Sequence, residues 1–113
     1  MRYVPKHCVG FEMTDALVEA LDLGELWESW DGDEHDPEIL ETIEEKFGVV
    51  PYMVARLVEE RGGERTGIEG FEDGLTYLLF EERDTRIPDW KTFSDLCESV
   101  GSQETEGSWS QLQ

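Results

Sequence analysis

Apolar residues recur at intervals of three and four in the first half of the chain, which is the spacing of one buried helix face. Thr14 and Asp15 are typical capping and first-turn residues, so we expect a helix after them that ends or kinks at Gly24. Asp36-Pro37 predicts a second helix, because Asp caps and Pro fits the first turn, and Gly48 is its expected end. The apolar positions behind these helices are Leu17, Val18, Leu21, Leu26, Trp27, Trp30, Ile39, Leu40, Ile43 and Phe47.

The second half adds two more helices and a change of period. A helix is expected from Pro51 to the Gly62-Gly63 pair, and another from Pro88 to Gly101. Between them, residues 66–71 and 75–80 are short β-prone runs around Asp73-Gly74, which is a strong hairpin signal. Pairing about that turn places Tyr77 opposite Gly70 and Leu79 opposite Ile68.

These elements predict a small, mainly helical α+β domain with four or five helices and one β-hairpin. We expect a single domain over residues 1–101. The remaining residues, 102–113, are polar and are expected to form a flexible C-terminal tail. Leu, Ile, Val and Phe make up about a quarter of the chain, which is above the level of roughly 20% typical of highly charged disordered chains.

Residues 40–60 resemble the helix-turn-helix family, and the hairpin after them resembles the wing of its winged version. The matching apolar and turn positions are Leu40, Ile43, Phe47, Gly48, Val49, Pro51, Val54 and Leu57. The chain departs from the motif at Glu44, where the family has a small residue. The recognition-helix positions would be Val50, Tyr52, Ala55, Arg56, Glu59 and Glu60, which are poorly suited to reading base edges. The resemblance therefore implies a winged-helix-like fold that binds protein rather than DNA.

The charge of the chain narrows the function further. Asp and Glu total 28 against 9 Lys and Arg, for a formal net charge of -19. A small soluble domain usually has a net charge of only about 2–8 in magnitude. This excess excludes a conventional electrostatic DNA or RNA binder, which needs a positive surface to displace counterions, and it disfavours anionic membranes.

Most of the imbalance lies between residues 12 and 45, which we call the acidic segment. It contains fourteen acids and no Lys or Arg. If the segment were fully helical, it would carry about one charge per 3.6 Å at a rise of 1.5 Å per residue. This is close to the spacing of roughly 3.4 Å between phosphates along one DNA strand. The candidate partner-binding residues are Glu12, Asp15, Glu19, Asp22, Glu25, Glu28, Asp31, Asp33, Glu34 and Asp36, with Trp27 and Trp30 as candidate anchors.

This segment predicts a non-enzymatic protein that binds a basic nucleic-acid-binding surface of a partner protein by charge mimicry. Phage-encoded inhibitors of host defence, such as anti-CRISPR and anti-restriction proteins, act in this way. Direct binding to nucleic acid is not expected. Two alternatives stay open: a winged-helix regulator from a salt-adapted organism, and an acidic adaptor or antitoxin-like protein that neutralises a basic partner without resembling nucleic acid.

Catalytic and metal-binding signals are weak. Residues 31–36 are rich in carboxylates but fail as an EF-hand loop, because Asp36 and Thr42 occupy its glycine and bidentate glutamate positions. Cys8 and Cys97 form no CxxC pair, and two reduced cysteines and one disulfide both stay open. No enzyme, cofactor or metal is predicted. Without a signal peptide or a long apolar run, a cytoplasmic protein is expected.

Overall fold

The chain folds into a helical layer and an antiparallel sheet. The computed structural model describes residues 7–56, 68–72, 74–81 and 88–109. Within these residues the elements are, in chain order, β1 (His7–Glu12), α1 (Asp15–Ala20), α2 (Glu25–Glu28), α3 (Pro37–Phe47), β2 (Met53–Arg56), β3 (Ile68–Glu69), β4 (Thr76–Glu81), α4 (Trp90–Ser99) and β5 (Glu104–Trp109).

The strands form one sheet in the order β2-β4-β1-β5-β3, and every neighbouring pair is antiparallel. The central strand β1 pairs with β4 on one side and with β5 on the other. Val9, for example, lies opposite Phe80 of β4 and opposite Glu106 of β5. Residues directly opposite each other in an antiparallel pair share a face, so the register assigns the side chains of these strands to two faces.

Residues from all four helices pack against one face of this sheet. Phe93 of α4 lies at the centre of the contact, and its ring centroid is 5.5 Å from Phe11 and 5.2 Å from Phe80 of the sheet. Phe47 of α3 contacts the same ring at 5.6 Å. The other fully enclosed members of this core include Leu17, Leu21, Ile39, Ile43, Val49, Val54, Leu78 and Cys97. Removing these apolar side chains from water is the main favourable contribution to the fold.

The opposite face of the sheet holds a smaller apolar cluster. Its buried members are Cys8, Met53, Ala55, Tyr77 and Leu79. Gly10 lies in this cluster, where a Cβ would be 2.8 Å from both Leu79 Cδ2 and Phe71 Cε1 and would displace these side chains. The missing side chain therefore lets the Phe71 ring pack directly against β1.

Three of the predicted helix starts are confirmed. Thr14 Oγ1 accepts a hydrogen bond from Leu17 N at 3.1 Å and caps α1. Asp36 Oδ1 accepts one from Glu38 N at 3.0 Å, Pro37 occupies the first turn of α3, and Gly48 ends the helix with φ 67°. The third confirmed start is that of α4, which begins at Trp90, two residues after the predicted start at Pro88.

The prediction of a mainly helical, winged-helix-like fold is wrong. Residues 53–56 form strand β2 instead of the helix expected after Pro51, and the continuation of that helix at Leu57 and Val58 lies outside the described residues. Met53, Val54 and Ala55 are all buried, because both faces of β2 are covered. A strand buried on both faces reads as a continuous apolar run, and periodicity cannot distinguish such a run from a helix.

The predicted hairpin is also wrong. β3 pairs with β5, and β4 lies between β1 and β2. Leu79 is opposite Gly10 and Met53 rather than Ile68, and Tyr77 is opposite Glu12 and Ala55 rather than Gly70. A turn signal specifies a local reversal only, whereas the partners of β4 are chosen by burial on both of its faces.

The predicted flexible tail over residues 102–113 contains a strand. Glu104–Trp109 form β5, which pairs along β1 from Phe11 to His7. Ser102 is buried, and its hydroxyl donates to the carbonyl of Glu12 at 2.8 Å, which fixes the entry to this strand. Residues 110–113 lie outside the described part of the chain. The sequence did not predict β5, because its residues are mostly polar and show no alternation of apolar positions.

Candidate partner-binding surface

The acidic segment runs from the end of β1 through α1, α2 and the following loop into α3. All fourteen of its acids are exposed or half-buried. Glu12 lies on β1, Asp15 and Glu19 on α1, Glu25 and Glu28 on α2, while Asp22, Asp31, Asp33, Glu34 and Asp36 lie in connecting segments. The acids therefore do not lie on one continuous helix. The helical structure is interrupted at Leu21–Gly24 and again between Ser29 and Asp36, and the acids are spread over several short elements.

Little positive charge from the described part of the chain compensates this surface. Among the residues that the structure describes, one ion pair engages the acidic segment, with Lys46 Nζ 3.2 Å from Asp22 Oδ2. Asp22 follows α1 with φ 57°, a left-handed conformation that Asp and Asn tolerate better than other side chains. Both partners of the pair are exposed, so it contributes little to stability. The other acids of the segment form no ion pair with any residue that the structure describes.

Trp27 and Trp30 form a stacked pair at the edge of the helical layer. Their ring centroids are 5.1 Å apart and their planes differ by 13°. Both side chains are half-buried: one part of each packs against the main core, and another part is exposed to solvent. Trp30 Nε1 donates to the carbonyl of Asp33 at 2.7 Å, which fixes the orientation of its ring.

The loop after the tryptophans is ordered by its own carboxylates. Asp31 Oδ1 accepts from Asp33 N at 3.1 Å, and Asp33 Oδ1 accepts from His35 N at 3.0 Å. The carbonyl of Glu34 accepts from Val54 N at 2.9 Å, so the loop is hydrogen-bonded to strand β2. In the described parts of the chain, no three His, Cys, Asp or Glu residues are placed to hold a metal ion.

Arg56 is a surface residue that sequence reasoning misplaced. It lies at the exposed end of β2, not on a recognition helix. Together with Trp30, Asp31, Gly32 and Glu34 it lines an open depression of about 330 Å³. No local signal links position 56 to positions 30–34, because the two segments meet only through the docking of the loop onto β2.

The two cysteines are free thiols in separate clusters. Cys97 belongs to the core under the helices and Cys8 to the cluster on the other face of the sheet, so the alternative of a disulfide is wrong. Burial raises the pKa of the Cys8 thiol to about 11 and that of Cys97 to about 12. Both thiols are therefore protonated at neutral pH, and neither is a ready nucleophile.

Comparison with known protein families, characterised proteins and solved structures finds no match for this chain. Within the residues described, no helix has the length and apolar character that crossing a membrane requires.

Proposed function

We propose that the protein is a non-enzymatic acidic inhibitor. In this proposal it occupies a basic nucleic-acid-binding surface of a partner protein by charge mimicry, in the manner of anti-CRISPR and anti-restriction proteins. The observation that supports it best is the exposed or half-buried set of carboxylates in the acidic segment, of which one forms an ion pair with a residue in the described part of the chain. The folded elements hold these charges in place before binding, so little ordering of the chain opposes association.

The mechanism is occlusion without chemistry. A dense negative surface steers a basic groove toward the inhibitor and raises the rate of association. The carboxylates then take the positions of phosphate groups, and the bulk of the domain blocks access for nucleic acid. Such binding weakens steeply with salt, because screening shortens the reach of exposed charges to about 10 Å at 0.1 M ionic strength. The partner handles nucleic acid, so the proposed site of action is the cytoplasm.

The test is a capture experiment with a charge-reversed variant. The protein is immobilised, exposed to lysate of its natural host at about 50 mM and about 500 mM salt, and the captured partner is then purified. Glu19→Lys, Glu25→Lys and Glu28→Lys are combined, since all three side chains are exposed. Asp22 is left unchanged because its backbone is left-handed and its side chain pairs with Lys46. We expect the variant to bind the partner about tenfold more weakly or worse.

A matched control reverses three exposed acids outside the segment, Glu72, Glu81 and Glu98, and is expected to keep most of the affinity. Circular dichroism checks that both triple variants are folded. Duplex DNA or guide RNA should compete with the wild-type protein for the partner. An equal loss of affinity in both triple variants would mean that binding depends on net charge alone and not on the acidic segment. Partner binding that nucleic acid does not compete would favour the acidic adaptor instead.

A further inference from the structure

The depression beside Trp30 combines an aromatic wall with carboxylates. Trp30, Asp31, Gly32, Glu34 and Arg56 line it. Its volume of about 330 Å³ is at the lower end of the range of ligand pockets, about 300–1,000 Å³. This size suits one long side chain from a partner better than a cofactor.

The wall of the depression is fixed before any ligand arrives. Trp30 stacks one face of its indole on Trp27, and its N–H is bound to the carbonyl of Asp33. The carbonyl of Glu34 is bound to Val54 N of β2, which holds the other side of the depression against the sheet. A Cβ built on Gly32 would meet no atom within 4 Å, so the surroundings of this glycine are open.

The carboxylates of Asp31 and Glu34 are available to a cation. Arg56 is exposed, comes from outside the acidic segment and also lines the depression, but it forms no ion pair with either carboxylate. An indole attracts a cation through its ring quadrupole, and a guanidinium also stacks on aromatic rings and forms paired hydrogen bonds with carboxylates. A lysine ammonium lacks the planar, bidentate part of this recognition.

We propose that the depression seats an arginine side chain of the basic partner, between the Trp30 indole and the carboxylates of Asp31 and Glu34. This inference rests on the proposed function and names one anchor within it. The positive charge of Arg56 in the lining opposes an incoming guanidinium, so it weakens the site. With this arginine seat, the surface distinguishes arginine from other basic side chains, which negative charge alone does not do.

The test requires no knowledge of the partner. Two blocked tripeptides, acetyl-Gly-Arg-Gly-amide and acetyl-Gly-Lys-Gly-amide, are titrated at low salt into 15N-labelled full-length protein, and the Trp30 indole signal is followed by NMR. We expect the arginine peptide to bind about two- to fivefold more tightly than the lysine peptide, with the largest shifts at Trp30 and residues 31–34.

Three variants locate the site. Asp31→Asn with Glu34→Gln removes both carboxylates, while Asn at 31 can still accept the hydrogen bond from Asp33 N. This pair should lower the affinity for the arginine peptide about fivefold. The matched control, Glu41→Gln with Glu45→Gln on exposed positions of α3, loses the same net charge and should change it less than about twofold. Arg56→Gln should raise the affinity about twofold, because an opposing positive charge is removed.

Several results would overturn the arginine seat. Equal binding of the two peptides, with shifts spread over the whole acidic segment, would leave charge mimicry intact but remove the specific site. Equal losses in the two double variants would do the same, and weaker binding after Arg56→Gln would show that Arg56 supports the site rather than weakens it. The proposed function fails in a different experiment: it would be contradicted if the variant that combines Glu19→Lys, Glu25→Lys and Glu28→Lys still bound the captured partner.

Discussion

Helices α3 and α4 have nearly the same length and pack against the same face of the sheet, yet their solvent-facing sides differ. α3 buries Ile39 and Ile43, and α4 buries Phe93 and Cys97. On its outer side α3 exposes four glutamates: Glu38, Glu41, Glu44 and Glu45. The outer side of α4 is mixed, with Lys91 Nζ 3.7 Å from Asp95 Oδ2 at i,i+4 spacing.

This difference separates what folding requires from what it does not. Each helix contributes two buried side chains to the same core, and the two helices meet where Phe47 contacts Phe93. The outer face of α4 shows that a mixed surface suffices at such a position. The glutamates of α3 repel one another at i,i+4 spacing, which opposes helix formation slightly. Their excess therefore has no basis in the stability of the helix and favours a role in recognition.

The largest expected effect comes from the shared core. Phe93→Ala should lower the free energy of unfolding by about 3–5 kcal/mol, because it removes the ring around which Phe11, Phe80 and Phe47 pack. Ile43→Ala in α3 should lower it by about 2–4 kcal/mol. Urea denaturation measures both, and Phe93→Leu provides a milder variant if the alanine protein does not fold. A loss below about 1 kcal/mol at either position would contradict a common core under the two helices.

Alkaline pH should affect α4 through a buried thiol for which α3 has no counterpart. The pKa of Cys97 is raised from 9.0 to about 12, so the native state keeps a proton that the unfolded chain loses above pH 9. The contribution of the protonated Cys97 thiol to the free energy of unfolding is therefore fully present below pH 9 and is lost as the pH rises toward 12. Between pH 8 and pH 10, Cys97→Ala should lose about 1 kcal/mol less than the wild type. Ile43→Val, a core variant without a titrating group, should show the same pH dependence as the wild type.

The helix starts give the next effect in size. Asp36 caps α3 through two backbone N–H groups, whereas Asp89 precedes α4 with φ 62° and makes no side-chain capping bond. Asp36→Ala should lower the free energy of unfolding by about 1 kcal/mol. Asp89→Gly should cause no loss, because glycine adopts the left-handed conformation without a steric cost. Thermal denaturation compares the two, and a similar loss in both variants would refute the difference in capping.

The smallest effect concerns the outer surfaces themselves. Glu41→Gln with Glu45→Gln should stabilise α3 by a few tenths of a kcal/mol at low salt, because it removes a like-charge i,i+4 pair. Asp95→Asn should destabilise α4 by a similar amount, because it breaks the pair with Lys91. Both effects should shrink at about 0.5 M salt. Effects of the same sign would mean that the two surfaces do not differ as described.

Sequence patterns predicted the helical layer better than the sheet. Thr14, Asp36 and Gly48 act within a few residues of their own position, and each does what its residue type predicts. β1 and β2 were missed or misassigned because burial on both faces removes the alternation that marks a strand. β5 was missed for the opposite reason, since its polar sequence has no apolar pattern at all.

The candidate surface was likewise predicted from the sequence only in part. The density of acids between residues 12 and 45 is visible in the chain, because it depends on composition alone. Their division between α1, α2 and the loop was not visible, and neither was the approach of Arg56 to Trp30 and Glu34. That approach depends on a hydrogen bond between the loop and β2, two segments that are distant in the chain.

The sequence by itself determined the charge, the caps at Thr14 and Asp36 and the helix end at Gly48, because each arises from residues close together in the chain. Only the tertiary structure decided which strands pair, for Val9 is matched with Glu106, nearly the whole chain away. Such pairing is selected by the joint burial of two sheet faces, a property of all the strands together. Among the described residues, it also decided that Lys46 and Arg56 lie beside acids of the acidic segment. Contacts between distant segments carry no local signature, since their free energy is realised only when both segments are already folded.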